Sequence, residues 1–158
     1  MKKNEVKMNN KGFSLVELIV VIAIMAVLVG VMAPMFIRYV EKSRQSTDIT
    51  NLDSILSTVR NFYADKEDVA ATEEVTLTLG GAITVNNSAA SGRAANVISD
   101  AQQTGVCDAS GNTTLKGSKW TTAPGFTYIP SSGAVTYTGD SSYFTVDSTN
   151  PTEIKPKG

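Results

Sequence analysis

A single acidic residue, Glu17, lies at the edge of a long apolar stretch in this 158-residue chain. Phe13-Ser14-Leu15-Val16 precede it, and no other charged residue follows before Arg38. An acidic residue in a membrane span costs about 2.5–3.5 kcal/mol at the centre of the bilayer and less near its edge. Two interpretations are open: Glu17 is an interfacial or protonated carboxylate, or it has a cationic partner.

Little other chemistry is available to the chain. It has no histidine, which removes the commonest general base and the commonest metal ligand. Cys107 is the only cysteine, so neither an intrachain disulfide nor a cysteine metal cluster can form. Asp100, Asp140 and Asp147 lack the dense acidic spacing of a calcium loop. We therefore expect a protein that is not an enzyme and that has no catalytic residue, no cofactor and no metal site.

The apolar stretch predicts a membrane-spanning helix. Twenty residues, 18–37, carry no charge, and a helix of that length rises roughly 30 Å, about the thickness of a bilayer's hydrocarbon core. Core helices of soluble proteins are rarely apolar on all sides over such a length. A removable secretory signal has a shorter apolar core, of about 7–15 residues, and a small-x-small cleavage site, which this stretch lacks.

The charges around the span give weak information on orientation. Residues 1–12 carry four lysines against Glu5, although the whole chain has a formal net charge of −1. A basic segment ahead of an apolar stretch is typical of targeting sequences. Because Arg38, Lys42 and Arg44 closely follow the span, the positive-inside rule favours a cytoplasmic N-terminus only slightly.

The segment Lys11-Gly12-Phe13-Ser14-Leu15-Val16-Glu17, with its basic leader and apolar continuation, resembles the processing site of type IV prepilins. The resemblance is specific over residues 11–37 and is only general architecture beyond residue 68. It implies that a prepilin peptidase cleaves after Gly12 and that the new amine of Phe13 is methylated. Glu17 would then be the fifth residue of the mature chain.

This processing would supply the cationic partner of Glu17. An exposed ion pair contributes little, whereas a desolvated pair is tolerable only when both charges are present in good geometry. If the helices of successive subunits are staggered, Glu17 of one subunit can meet the Phe13 amine of another. We interpret the two residues as an intersubunit salt bridge that favours one register in a filament.

Gly30 and Pro34 interrupt the apolar helix. A proline inside a helix removes one backbone hydrogen bond and clashes with the preceding turn, at a cost of about 3 kcal/mol. The simplest expectation is a kink near the outer end of the span. The resemblance to pilins implies an alternative, local melting of the helix around Gly30 and Pro34 in the filament.

Residues 38–68 predict an amphipathic continuation of the helix. Apolar residues recur there at helical spacing and form a stripe expected to pack against the head. The stripe consists of Ile49, Leu52, Ile55, Leu56, Val59, Phe62 and Tyr63. Asp48, Asp53 and Arg60 are assigned to the opposite, polar face.

Residues 69–158 predict a β-rich head. Residues 75–79 and 82–85, linked by two glycines, indicate a hairpin, and residues 94–103 a short helix. Three later runs indicate a three-stranded antiparallel meander, apolar on one face and threonine-rich on the other: 126–129, 134–137 and 143–146. The apolar sheet residues that could cover the stripe are Leu77, Leu79, Phe126, Tyr128, Val135, Tyr137 and Phe144.

Three smaller expectations concern the rest of the head. The tail from Ser148, which holds Pro151 and Pro156, is predicted to be loose. Cys107 is predicted to be a buried small apolar residue. Arg93, Lys116 and Lys119 are too few to predict nucleic-acid binding.

The predicted fold class is α+β, with a long N-terminal helix packed against a small antiparallel sheet. Its parts are a cleaved leader (1–12), a transmembrane and filament-core helix (13–37), an amphipathic helix (38–68) and an extracellular head (69–158). The predicted function is that of a structural subunit of a type IV pilus. The alternatives are a pseudopilin of a secretion or DNA-uptake system and a monomeric membrane-tethered binding protein.

The resemblance also implies partners and location. The partners are other copies of the subunit, the prepilin peptidase, the filament assembly machinery and, before assembly, the membrane. The precursor would be a single-pass protein of the cytoplasmic membrane, and the assembled subunit would belong to an extracellular filament.

Overall fold

The structure is a computed structural model that describes residues 13–88, 90, 92–146 and 154–157. The predicted leader, including Gly12, lies outside the described residues. These described residues form two helices and six strands: α1 Leu15–Ala64, β1 Glu74–Thr78, β2 Thr84–Asn86, α2 Arg93–Gln102, β3 Gly125–Ile129, β4 Ala134–Thr138, β5 Phe144–Val146 and β6 Ile154–Pro156. The chain divides into two units, Met1–Tyr39 and Val40–Gly158, and α1 contributes residues to both. The α+β fold class, with a long helix and a small antiparallel sheet, is confirmed.

The main sheet has four antiparallel strands in the order β2-β1-β3-β4. The hairpin predicted around the two glycines is confirmed, because β1 pairs with β2, and Gly80 adopts a positive φ of 87° where the chain turns. β3 lies between β1 and β4 and pairs with both. The short helix predicted at 94–103 is also confirmed as α2.

The third strand of the predicted meander is misplaced. β5 pairs with β6 in a separate two-stranded sheet and does not extend the main sheet. Gly139, at a positive φ of 115°, turns the chain after β4, and Tyr143 then packs edge-on against Trp120 at 5.2 Å between ring centroids. Part of the tail predicted to be loose therefore forms β6, where Ile154 is buried.

The core of the Val40–Gly158 unit, hereafter the head, lies between α1 and the sheets. Six residues of the α1 stripe are buried and Phe62 is half-buried. Of the predicted sheet residues, five are buried, while Val135 and Tyr137 are partly buried against the core. α2 adds Val97 and Ala101 to the core. Full burial of each large apolar side chain stabilises the fold by about 1.5–3 kcal/mol. Most of the buried apolar residues are ones that the helical and strand periodicities predicted.

Asp48 is a correction to the predicted polar face of α1, because it is fully buried. Its two carboxylate oxygens accept hydrogen bonds from the backbone N–H groups of Lys116 (2.9 Å) and Gly117 (2.7 Å) and from the indole N–H of Trp120 (2.9 Å). A Cβ at position 117 would lie 2.6 Å from the Trp120 Nε1 atom, so only glycine allows this approach. Hydrogen bonds from protein donors thus replace those that water would donate to the Asp48 carboxylate.

Glu41 holds the same loop two helical turns earlier. Its carboxylate accepts hydrogen bonds from the backbone N–H groups of Ser118 (2.6 Å) and Lys119 (2.9 Å) and from the Ser118 hydroxyl (3.0 Å). Burial raises the pKa of Glu41, but these hydrogen bonds and the nearby Arg44 together hold it below its ordinary value. Glu41 and Asp48 therefore form a carboxylate pair that fixes residues 116–120 to the start of α1 in the head.

A buried ionic network closes the other end of the head. The fully buried Glu73 accepts a hydrogen bond of 2.5 Å from the Tyr63 hydroxyl and lies 3.4 Å from the guanidinium of Arg93. Arg93 also donates to the exposed Asp68 at 2.8 Å, and this contact lowers the Asp68 pKa. Burial, together with the contact to Glu73, raises the pKa of Tyr63. The charge on Glu73 is thus compensated by one cation and one hydroxyl donor.

Replacing Arg93 by methionine should lower the free energy of unfolding by about 3–5 kcal/mol, because it leaves Glu73 buried without a cation. The double variant Arg93→Met/Glu73→Gln should recover part of this loss, since a neutral amide still accepts the Tyr63 hydrogen bond. Urea unfolding of the detergent-solubilised chain, followed by near-ultraviolet circular dichroism, measures both effects. Additive losses in the double variant would contradict this account of the network.

The lowered pKa of Glu41 predicts an acid-sensitive contribution to stability. A carboxylate whose pKa is lower in the folded state stabilises the fold above its unfolded-state pKa, and this stabilisation is lost as the pH falls through its folded-state pKa. The wild type should therefore lose stability between about pH 5 and pH 3 more steeply than Glu41→Gln. Unfolding midpoints recorded across this range test the prediction, with Glu67→Gln, at an exposed acid, as the matched control.

Candidate functional site

The Met1–Tyr39 unit is dominated by exposed apolar side chains. Every residue from Phe13 to Tyr39 is exposed, including 19 large hydrophobic residues. In the described part of the chain, α1 is long and apolar enough to cross a membrane, as judged by length and composition. Soluble monomers rarely expose contiguous apolar patches of more than a few hundred Å². This surface therefore requires lipid or other protein chains as its surroundings.

The polar end of this surface holds the glutamate half of a capping box. α1 begins at Leu15, so Ser14 is the N-cap and Glu17 is the third helical residue. The Glu17 carboxylate accepts a hydrogen bond from the backbone N–H of Ser14 at 3.0 Å. This is the reciprocal half of the Ser-x-x-Glu motif, which satisfies an N–H group that the helix leaves without a partner. A carboxylate in the first turn also complements the positive end of the helix dipole.

The sequence prediction assigned Glu17 only an intersubunit role and missed this one. The signal, Ser14 followed three residues later by Glu17 before an apolar run, is visible in the sequence. Phe13, the predicted new N-terminus, is 91% exposed directly before this cap. The intersubunit contact of Glu17 with a Phe13 amine remains a prediction, and the cleavage site itself involves Gly12, outside the described residues.

α1 continues as a helix through both predicted interruption points. Pro34 lies inside the helix, and a Cβ added at Gly30 would meet no atom within 4 Å. No contact within the described chain therefore requires glycine at position 30. Glycine is less favourable than alanine in a helix by about 1 kcal/mol, and proline is less favourable still. Gly30 and Pro34 therefore weaken the helix over residues 30–34. Melting of this segment remains a prediction.

The remaining candidate residues lie in the head. Cys107 is buried, as predicted, and burial raises the pKa of its thiol. Asp140 accepts a hydrogen bond from the Ser142 backbone N–H at 2.9 Å, which lowers its pKa, while Asp147 lies outside the described residues. Among the described residues, no three histidine, cysteine or acidic side chains are grouped so that they could hold a metal ion.

Two comparisons with known proteins find similarity to this chain. Residues 7–33 match the family model described as the prokaryotic N-terminal methylation motif. The chain is 33% identical over 67 residues to the type IV major pilin protein PilA of Myxococcus xanthus (strain DK1622). This match covers 42% of the chain and 30% of the relative, so the chain spans less than a third of the relative's length. No solved structure matches the chain.

The family-model match overlaps the exposed apolar helix and includes its first turn. The motif at residues 7–33 includes Gly12, Phe13 and Glu17, the residues on which the resemblance to prepilins was based. In its N-terminal segment the chain is therefore similar to proteins that carry the prokaryotic N-terminal methylation motif, and it shares sequence similarity with a type IV major pilin.

Proposed function

We propose that the chain is the precursor of a structural subunit of a type IV pilus or a closely related filament. The prepilin peptidase removes residues 1–12 and methylates the amine of Phe13. The apolar helix holds the subunit in the cytoplasmic membrane as a single-pass protein and then forms the core of an extracellular filament. The subunit is a substrate of an enzyme and has no catalytic role of its own.

The observation that carries this proposal is that every residue from Phe13 to Tyr39 is exposed and that this segment overlaps a methylation motif at residues 7–33. A tether would need the apolar helix alone, since lipid covers an anchor completely. A filament subunit needs in addition a processed N-terminus and an acidic residue at a fixed distance from it. The chain has the processing motif and Glu17.

In the filament, Glu17 has a different partner from the one in the isolated chain. Within one copy it accepts a hydrogen bond from the neutral Ser14 N–H. When lipid is replaced by neighbouring helices, the carboxylate is desolvated and a cationic amine of an adjacent copy becomes its best partner. Because each copy supplies one amine and one carboxylate, every buried charge in the filament core is paired only when the helices adopt the correct stagger.

The mature N-terminus gives the first test. We expect mass spectrometry of the protein from its own cells to find a methylated Phe13 as the first residue. An intact leader would leave no free amine at position 13 and would support the tethered alternative. The precursor made without the prepilin peptidase serves as the control and should begin at residue 1 or 2.

The second test separates the two roles of Glu17. Glu17→Gln keeps a side chain that can complete the capping box but removes the charge, whereas Ser14→Ala changes the cap residue and keeps the charge. We expect Glu17→Gln to reduce surface filaments at least about tenfold, because it leaves a buried amine unpaired. Ser14→Ala should have a milder effect, of about a factor of five or less, since loss of a cap costs about 1 kcal/mol.

The measurement is the amount of sheared filaments, quantified by immunoblot and electron microscopy, relative to the amount of processed subunit in the membrane. Both variants should insert in the membrane and lose their leaders normally. Wild-type filament yield from Glu17→Gln would show that the charge has no role in assembly. A loss of filaments in Glu17→Ala beside wild-type yield in Glu17→Gln would assign the residue to the capping hydrogen bond alone, because alanine removes the group that accepts from the Ser14 N–H.

A further inference from the structure

One end of the head carries exposed basic side chains. Lys42 and Arg44 lie in the first turns of α1 within the head, and both are exposed. Lys116 and Lys119 are exposed as well, and their backbone N–H groups bind Asp48 and Glu41, which places both lysines at the same end. We call Lys42, Arg44, Lys116 and Lys119 the basic end.

The two acidic residues Glu41 and Asp48 offset only half of that charge, which leaves a net formal charge of +4 − 2 = +2. Glu41 and Asp48 are buried, and their carboxylate oxygens already accept hydrogen bonds from the backbone, Ser118 and Trp120. The fold thus turns two carboxylates inward and four cations outward. A partner that approaches this end meets ammonium and guanidinium groups.

The opposite end of the same helix carries exposed acidic side chains. α1 ends at Ala64, and Asp65, Glu67 and Asp68 follow it immediately, all exposed. Two cations lie beside them: the buried Arg93 pairs with Asp68 at 2.8 Å, and the exposed Lys66 lies 5.0 Å from the centre of the Phe62 ring. The three acids and two cations leave this end with a net formal charge of −3 + 2 = −1. We call Asp65, Glu67 and Asp68 the acidic end.

The two ends cannot neutralise each other within one copy. From Glu41 to Ala64 the helix rises about 35 Å, which is several times the Debye length of about 8 Å at physiological ionic strength. The head therefore carries positive charge at one end of its helix and negative charge at the other. This arrangement is complementary to a second copy in the same orientation that is displaced along the helix axis.

We propose that the basic end of one head docks on the acidic end of another copy of this chain in the filament. The inference rests on the proposed function and deepens it by naming a head-to-head contact. A contact between two different surfaces of identical chains produces a continuous fibre when successive copies do not close into a ring. Heads packed side by side without displacement would bring like charges together, so the same charges disfavour that arrangement.

Charge reversal with rescue tests the contact. The basic variant is Lys116→Glu/Lys119→Glu, the acidic variant is Asp65→Lys/Glu67→Lys, and the third chain combines all four changes. Each double variant should reduce sheared surface filaments at least about tenfold, because the weakened contact repeats along the filament. The combined chain should return to within about threefold of wild type, since opposite charges face each other again. Lys157→Glu, an exposed reversal in the C-terminal segment, should assemble normally.

Two further measurements keep the outcomes distinct. The thermal unfolding midpoint and the membrane level of each processed subunit should match wild type, which separates assembly from folding and from contact with lipid headgroups. Wild-type filaments together with a combined chain no better than its two parents would overturn the contact while leaving the proposed function intact. Full assembly of both double variants would overturn it equally. An absence of filaments from the wild type would instead contradict the proposed function.

Discussion

The constraint on which the rest of the molecule depends is the apolar surface of residues 13–39, which no other part of the described chain covers. Its exposure in water would cost roughly 25 cal/mol for each Å² of apolar area, far more than the net stability of a domain of this size. A bilayer or a bundle of apolar helices from other chains would remove this area from water.

The head is adapted to this constraint by how it treats charge. α1 is a single helix, but its continuous apolar surface ends where the head begins. In the head, Glu41 and Asp48 hold the 116–120 loop against α1 through hydrogen bonds and not through apolar packing. Hydrogen bonds to a carboxylate are directional and fix one loop position, whereas apolar contacts allow small slides. The carboxylate pair thus gives a defined geometry at the point where the chain passes from apolar surroundings to water.

Periodicity predicted most of the fold, and its failures have physical causes. The α1 stripe and the β1–β2 hairpin follow from side-chain spacing alone, because the buried residues of helices and strands recur at fixed intervals. Spacing could not identify Asp48 as buried, since its partners are backbone N–H groups from a loop some 70 residues away. Spacing also indicated β5 without its partner, because strand pairing depends on the turn at Gly139 and on β6, whose three residues have no distinctive pattern.

The candidate site shows the same division between local and distant information. Gly12, Phe13 and Glu17 could be chosen from sequence because the processing motif is contiguous. The spacing of Ser14 and Glu17 also indicates a capping box, which the sequence prediction missed. The basic end of the head could not be identified, because Lys42 and Lys119 are far apart in the chain and meet only through Glu41. A motif within one helical turn is encoded locally, whereas a charged surface depends on the tertiary fold.

The capping role of Glu17 and its proposed intersubunit role are compatible, because they belong to different states and differ in strength. In the membrane, near the aqueous interface, a capping hydrogen bond to a neutral N–H is worth about 1 kcal/mol and keeps the helix start ordered. In a filament core the same oxygen atoms are desolvated, and an ion pair with an amine becomes stronger as the local dielectric constant falls. The side chain that orders the first turn in the monomer is therefore already positioned at the mouth of the helix when a neighbouring amine arrives, and the neutral partner is the weaker competitor.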